Sequence, residues 1–138
     1  MRKQPPEPDA WKYTLPGGWE VLAGKTDADN DRLSLKIAGP NDLWFHVHGL
    51  PGSHVILQGP EGERADSATI KAAAAIAAWH SKARNAGTVP VSCTEAKNVS
   101  KPFMVNRHGE PRKAKPGTVH IKREKTIKVR PALPAPAE

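Results

Sequence analysis

Residues 42–58 read Asp-Leu-Trp-Phe-His-Val-His-Gly-Leu-Pro-Gly-Ser-His-Val-Ile-Leu-Gln. Two runs rich in aromatic and β-branched residues, 43–48 and 53–58, flank a Gly/Pro turn at 49–52, which is typical of paired β-strands. Successive side chains of a strand point to opposite faces. Trp44 and Phe45 are therefore expected to divide between the two faces of a sheet, one of them in the core.

The sequence before this stretch predicts a β-hairpin and a short helix. Residues 11–15 and 19–23 flank Pro16-Gly17-Gly18, a turn sequence suited to a hairpin. The acidic residues from Asp27 to Asp31 suit the exposed N–H groups and the dipole of a helix N-terminus. We predict that this helix runs to about Ala38, where Gly39-Pro40 ends it.

An alanine-rich helix is predicted from about Ser67 to Asn85, capped by Asp66 or Ser67 and stopped at Gly87. Its small side chains let it lie close on a sheet, and Trp19 and Trp79 are expected in the core. Further strands are predicted at 89–93, 99–103, 118–122 and 126–129. Strand runs with two helices and no βαβ rhythm indicate a single α+β domain, with a mostly antiparallel sheet packed by the Ala-rich helix and a shorter helix.

The chain of 138 residues suits one domain, which we place at residues 11–130. Residues 1–10 and 131–138 are Pro-rich and are expected to be a disordered leader and a disordered Pro/Ala tail. The N-terminus has no apolar segment of a secretory signal, and no apolar run approaches the ~20 residues of a membrane span. With a single cysteine, Cys93, the sequence predicts a cytoplasmic protein without disulfides or membrane contact.

Positive charge is concentrated in the C-terminal third of the chain. The whole chain has 21 Lys and Arg against 14 Asp and Glu, yet residues 97–138 alone hold 11 basic and 3 acidic residues. A one-sided basic surface indicates a polyanionic partner, although it also serves solubility. Basic strands and loops can follow a phosphate backbone without reading base edges. The side chains predicted to contact RNA phosphates are Lys97, Lys101, Arg112, Lys113 and Lys115.

Catalytic motifs are weak in this sequence. Neither phosphate-binding loop pattern occurs, so nucleotide hydrolysis and dinucleotide chemistry have no support. His46, His48 and His54 could approach one another on paired strands and form a metal site, with Asp42 or Asp31 in support. Their spacing is unspecific, and we favour the interpretation that they are polar sheet residues or contacts to RNA. We therefore predict no catalytic residue, no metal and no cofactor, with a histidine- or metal-dependent hydrolase acting on nucleic acid as the alternative.

Several motifs in order along the chain resemble one known family, the NFACT-R domain. They are G-K-T-D-A-D-N-D (24–31), D-L-W-F-H-V (42–47), P-G-S-H-V-I-L (51–57), A-A-A-A-I-A-A-W-H-S (72–81), V-S-K-P (99–102) and K-P-G-T-V (115–119). The resemblance covers about residues 19–130. Within it, D-x-W-F-H followed by P-G-S-H-V is the most distinctive element.

The resemblance implies RNA binding in ribosome-associated quality control. Large NFACT proteins bind obstructed large ribosomal subunits and recruit tRNA to extend the stalled chain, so the implied partners are tRNA or rRNA and the large subunit. We expect a stand-alone form of the domain. The sequence does not specify its oligomeric state. An adaptor that docks on an acidic protein is a further alternative. The residues implied to form a family-specific patch are Asn30, Asp31, Asp42, Trp44, His46, Ser53 and His54, and Trp44 could stack on a base if its ring is the exposed one.

Overall fold

The computed structural model of the protein describes residues 9–135, a single α+β domain with two α-helices and ten strands in that part of the chain. The predictions for residues 1–8 and 136–138 lie outside the described residues. The strands are β1 (Ala10–Leu15), β2 (Trp19–Gly24), β3 (Leu43–Val47), β4 (Val55–Gln58), β5 (Val89–Glu95), β6 (Val99–Ser100), β7 (Phe103–Val105), β8 (Pro111–Lys113), β9 (His120–Ile121) and β10 (Lys125–Val129), and the helices are α1 (Asp27–Arg32) and α2 (Ser67–Trp79).

Six strands form one antiparallel sheet in the order β1-β2-β4-β3-β5-β10. The predicted hairpin of β1 and β2 is confirmed, with Gly17 and Gly18 at φ of +89° and +83° in its turn. Such values favour glycine because it has no Cβ. β3 and β4 are paired as predicted, with Trp44 opposite Ile56.

The sheet has an apolar core on each face. Helix α2 packs on one face, where Phe45, Val47, Val55 and Leu57 meet its small side chains. On the other face Trp44 and Ile56 pack with Leu33 and Val99. The strand alternation therefore divides Trp44 and Phe45 between the faces as predicted, but both rings are buried, at 2% and 0% exposure.

Helix α2 is shorter than predicted. Its N-cap is confirmed, because the Asp66 carboxylate accepts a hydrogen bond from Thr69 N at 2.8 Å. The helix ends at Trp79 rather than near Asn85. There the His80 carbonyl accepts from Ser53 N, and Arg84 Nε donates to the Trp79 carbonyl at 2.7 Å. A tertiary partner at the C-cap and a local side chain at Trp79 thus satisfy the carbonyls at the helix end, which a sequence pattern does not show.

The short helix begins at Asp27 as predicted, and its N-cap is Thr26, whose Oγ1 accepts from Asp29 N at 3.1 Å. Beyond Arg32 the chain continues as a π-helical turn, Leu33–Ile37. This wider turn buries Leu33 and Ser34 against the second face of the sheet. The predicted end near Ala38 is therefore correct, although the last part is not α-helical.

The C-terminal third differs most from the prediction. Residues 99–103 do not form one strand, since β6 pairs with β9 whereas β7 turns away to pair with β8. Pro102, which has no N–H to donate, lies at the break. β8 is absent from the predicted strands because Pro, Arg and Lys are poor strand signals. β10 occupies an edge of the main sheet beside β5.

The predicted leader and tail overlap the described residues at their inner ends. β1 includes Ala10, and Asp9 N donates to Asp29 Oδ1 at 3.0 Å. At the other end Ala132 N donates to the Ala75 carbonyl at 3.2 Å. Among residues 9–135 no helix is long and apolar enough to cross a membrane.

Candidate nucleic-acid interface

A buried hydrogen-bonded chain links two of the motif side chains, Trp44 and His54, through Ser34. Trp44 Nε1 donates to Ser34 Oγ at 2.8 Å, and Ser34 Oγ lies 2.7 Å from His54 Nδ1. Since the hydroxyl accepts from the indole, its own proton can go to Nδ1, leaving His54 neutral with its proton on Nε2. Burial, and then the nearby His46, lower the pKa of His54 to about 4.

The P-G-S-H turn is fixed to the start of α1 by buried polar contacts. Ser53 Oγ donates to the Gly24 carbonyl at 2.6 Å, and His54 N donates to Asn30 Oδ1 at 3.0 Å. Asn30, Ser53 and His54 are all buried, at 5%, 9% and 3% exposure. These three predicted patch residues therefore hold the turn against α1 and have little surface to offer a ligand.

Asp42 closes the turn before β3. Its Oδ2 accepts from Gly39 N at 2.8 Å and from Gln58 Nε2 at 3.0 Å. This is the structural use that an aspartate at a turn often has. Trp44, beside it, is not the exposed ring of the pair, so it offers no platform for a base.

The three strand histidines do not converge on one point. His46 is partly buried, its ring stacked on Trp44 at 6.0 Å and edge-on to His54 at 5.4 Å between ring centroids. Burial also lowers the pKa of His46. His48 instead lies 3.2 Å from Ser92 Oγ. Within residues 9–135 no group of three His, Cys, Asp or Glu side chains could hold a metal ion, so the alternative metal site has no geometric support there.

Lys101 is placed differently from the prediction. Its Nζ donates to Asp31 Oδ2 at 2.8 Å and to the carbonyls of Lys115 and Thr118 at 2.8 and 2.9 Å. An ammonium has three donors, and here all three are used. Asp31 also accepts from Gly117 N at 3.0 Å through its other oxygen. Lys101 and Asp31 thus form a clamp between α1 and segment 115–118, and Lys101 is not available for a phosphate.

The other predicted phosphate contacts are exposed. Lys97 lies 3.5 Å from Glu95, with both side chains about half in solvent. In the described part of the chain, no ion pair within 4.0 Å engages Arg112, Lys113 or Lys115. The same is true of other exposed cations in this third of the chain: Arg107, Lys122, Arg123, Lys125, Lys128 and Arg130. The surface is therefore positively charged, and within residues 9–135 none of these cations except Lys97 is held in an ion pair by a carboxylate.

Sequence reasoning missed a cleft of about 350 Å³ at the start of β1 and the end of α2. The Trp11 ring is 39% exposed and stacks on His80 at 4.4 Å between ring centroids. Lys25 Nζ lies 5.4 Å from the Trp11 ring centroid. Lys82 and Arg84 also line this cleft. Asn30 and Ser53 of the predicted patch line it too, and most of its other residues belong to the motifs at 24–31, 51–57 and 72–81, which the sequence alone did not bring together.

Two core predictions for tryptophans have different outcomes. Trp19 packs against the α2-side core as predicted. Trp79 is only partly buried and lies under Arg84, whose guanidinium carbon is 4.7 Å from a Trp79 ring centroid. Trp79 therefore contributes to the end of α2 and to its surface, outside the main apolar cluster.

Comparison with known proteins places these features in a family. The family described as NFACT protein RNA binding domain matches residues 11–122. The "Rqc2 homolog RqcH" of Bacillus subtilis (strain 168) is 35% identical over 130 residues, which cover 94% of this chain and 21% of that protein. Its namesake in Streptococcus suis (strain 05ZYH33) is 37% identical over 111 residues, 80% of this chain and 18% of that protein.

A solved structure is also similar, that of the C-terminal part of the fibronectin/fibrinogen-binding protein from Streptococcus suis. It has a TM-score of 0.75 and 32% sequence identity, and the match covers 96% of this chain and 49% of that one. The chain therefore spans about a fifth of the curated relatives and half of the solved chain. The family match over residues 11–122, together with the shared fold, shows that the chain belongs to the family of NFACT protein RNA binding domains.

Proposed function

We propose that this domain binds structured RNA, either tRNA or rRNA, in cytoplasmic ribosome-associated quality control, and that it does so without chemical turnover. The observation that carries the proposal is the exposed basic surface of residues 97–130, whose cations other than Lys97 and Lys101 have no carboxylate partner in the described residues. Its family membership and its similarity to proteins named Rqc2 homolog RqcH support the RNA partner and the setting.

Phosphate contacts are assigned to the exposed Lys97, Arg112, Lys113 and Lys115. Each is exposed enough to reach a phosphate, Lys97 by leaving its solvent-exposed pair with Glu95, and contact with RNA would release counterions. Asp31 then has an indirect function, because it holds Lys101 and Gly117 next to these cations, and the P-G-S-H turn fixes the helix that carries Asp31. A partner on the large ribosomal subunit is part of the same proposal.

The salt dependence of RNA binding tests this proposal. We expect the affinity of the purified chain for tRNA and for large-subunit rRNA fragments to fall with salt, with a log–log slope of roughly −3 to −5. The triple variant Arg112→Ala, Lys113→Ala, Lys115→Ala should reduce the steepness of this slope by about 2–3. Lys71→Ala, which removes an exposed lysine of α2, is the matched control and should leave the slope unchanged.

The two RNAs distinguish the finer alternatives. Preference for tRNA or for an rRNA fragment at the same salt concentration identifies the partner class. Binding that is absent for both RNAs, or that has a flat response to salt, would contradict the proposal.

A further inference from the structure

The hairpin of β7 and β8, residues 103–113, exposes three consecutive apolar side chains; we call it the arm. Phe103, Met104 and Val105 are 65%, 63% and 71% exposed. Single exposed apolar residues are common, whereas a contiguous exposed group of this kind marks an interaction surface. The arm pairs with no other strand of the described chain.

The strand register places a cation beside an apolar side chain on each face of the arm. Phe103 is opposite Lys113, and Met104 is opposite Arg112. Side chains of directly opposed residues lie on the same face, about 5 Å apart at Cβ. One face therefore presents an aromatic ring next to an ammonium group, and the other a thioether next to a guanidinium.

Local hydrogen bonds hold the tip of the arm. Asn106 Oδ1 accepts from His108 N at 2.9 Å and from Glu110 N at 3.0 Å. Asn106 N in turn donates to the Glu110 carbonyl at 3.1 Å, and Gly109 supplies the turn with φ of +77°. The turn at the tip is thus already ordered, so less conformational entropy must be lost on binding.

The base of the arm is fixed to the domain. Ala114 N donates to the Pro102 carbonyl at 3.0 Å, directly below the last strand pair. Below that contact the Lys101 ammonium reaches the Lys115 carbonyl, and Asp31 holds both Lys101 and Gly117. The arm is therefore a preformed element with both ends anchored.

We propose that the arm binds unpaired nucleotides of RNA, with a base stacked on Phe103 and the adjacent phosphate on Lys113, which lies on the same face of the arm. This inference rests on the proposed RNA-binding function and names its contact. Residues 103–113 carry three cations and one carboxylate, Glu110, so their charge complements a nucleic acid. A base must leave its helix to stack on a side chain, which favours loops, bulges and ends over duplex RNA.

The test compares a single-stranded 12-nucleotide RNA with a blunt duplex of the same length at fixed salt. Phe103→Ala should weaken binding of the single strand by about 5–100-fold, the range of one lost base stack, and leave duplex affinity unchanged. Phe103→Tyr should retain binding because it keeps the ring. Leu50→Ala, which removes an exposed apolar side chain outside the arm, is the matched control.

A second readout reports contact directly. The added indole fluorescence of the Phe103→Trp variant, relative to the unsubstituted chain, should be quenched by the single strand and not by the duplex. If Phe103→Ala binds the single strand as the unsubstituted chain does, the arm inference fails and the proposed function stands. If the variant loses single-strand and duplex binding equally, stacking is also contradicted. A chain that binds neither of these two RNAs contradicts the arm inference, and one that also binds neither tRNA nor the rRNA fragments refutes the proposed function itself.

Capture of a protein instead of RNA is the remaining outcome. A Phe103-dependent complex with a ribosomal protein, formed by a chain whose RNA affinity is indifferent to Phe103, would overturn the inference. Thermal unfolding of each variant shows whether the domain is folded, and the exposure of Phe103 predicts an unchanged midpoint.

Discussion

Lys101 Nζ donates to Asp31 Oδ2 at 2.8 Å across a separation of 70 residues in the chain. The two side chains are only 15% and 20% exposed, so water screens this ion pair less than it would screen one on the surface. The pair joins the first helix to both ends of the arm. An aspartate and a lysine from two separate motifs thus have one structural function in common.

Removal of the clamp should destabilise the domain. Lys101→Met leaves the Asp31 carboxylate without its cation and two carbonyls without their donor, which we expect to cost about 1–3 kcal/mol in the free energy of unfolding. Urea unfolding measures this cost. Lys113→Met, on an exposed side chain, should change the unfolding free energy by less than about 0.5 kcal/mol. Equal costs for the two variants would contradict the clamp.

The close approach of Gly24 to Asn30 should make a small substitution costly. A Cβ at Gly24 would collide with Asn30 Oδ1, the atom that accepts from His54 N. Gly24→Ala must displace the carboxamide, and we expect a loss of about 1–3 kcal/mol in unfolding free energy. Gly87→Ala is the control, because a Cβ there meets nothing within 4 Å. Its stability should be unchanged or slightly higher.

Stability should fall as the pH is lowered from about 7 to 4. The pKa of His54 is about 4 in the folded domain against 6.5 in its unperturbed state. Between these values the unfolded chain binds a proton that the folded chain does not, so protonation favours unfolding. The contribution of His54 should lower the free energy of unfolding by on the order of 2–3 kcal/mol, and this loss should be complete near pH 4.

The unfolding free energy measured at several pH values checks this prediction. His80, whose pKa is also about 4 because of burial and the nearby Arg84, adds a loss of the same sign. His54→Asn, which can keep a polar atom near Ser34, should flatten the dependence in this range. His120→Asn, on an exposed side chain, controls for the loss of a histidine as such. A stability that rises on acidification would refute the assignment.

The core face of α2 can be tested with one residue. Ile76 is fully buried in the cluster between α2 and the sheet. Ile76→Ala should lower the unfolding free energy by about 2–5 kcal/mol because it leaves a cavity among well-packed side chains. Lys71→Ala, on the exposed side of the same helix, should have little effect. The opposite ranking would mean that the helix faces the sheet with another side.

The regular parts of the fold were predictable because they depend on local patterns. Alternation in 43–47 was enough to place Trp44 and Phe45 on opposite faces, and Asp66 marked the start of α2. The end of α2 was not predictable, since the tertiary contact of Ser53 N with the His80 carbonyl and the return of the Arg84 side chain to the Trp79 carbonyl leave no sequence pattern.

The candidate site was less accessible to sequence reasoning. From sequence alone, a lysine in a basic segment is expected to be a free cation. The fold shows that all three donors of the Lys101 ammonium are engaged. The sequence did not indicate β8, because strand propensity is low in Pro-Arg-Lys. It therefore offered no strand with which the exposed residues Phe103 to Val105 could pair. The motif residues were recognised, but recognition alone did not distinguish buried supports such as His54 from contacts with a ligand.

Closure of the arm at Pro102 and Ala114 has a consequence for how this domain can diversify. The hydrogen bond and the clamp beneath it lie outside residues 103–113, so the length and sequence of the arm are uncoupled from the scaffold. The arm can therefore be exchanged as a unit without altering the contacts that hold its base. Grafting the corresponding hairpin of a relative between residues 102 and 114 should transfer nucleotide preference while the recipient keeps its own melting behaviour.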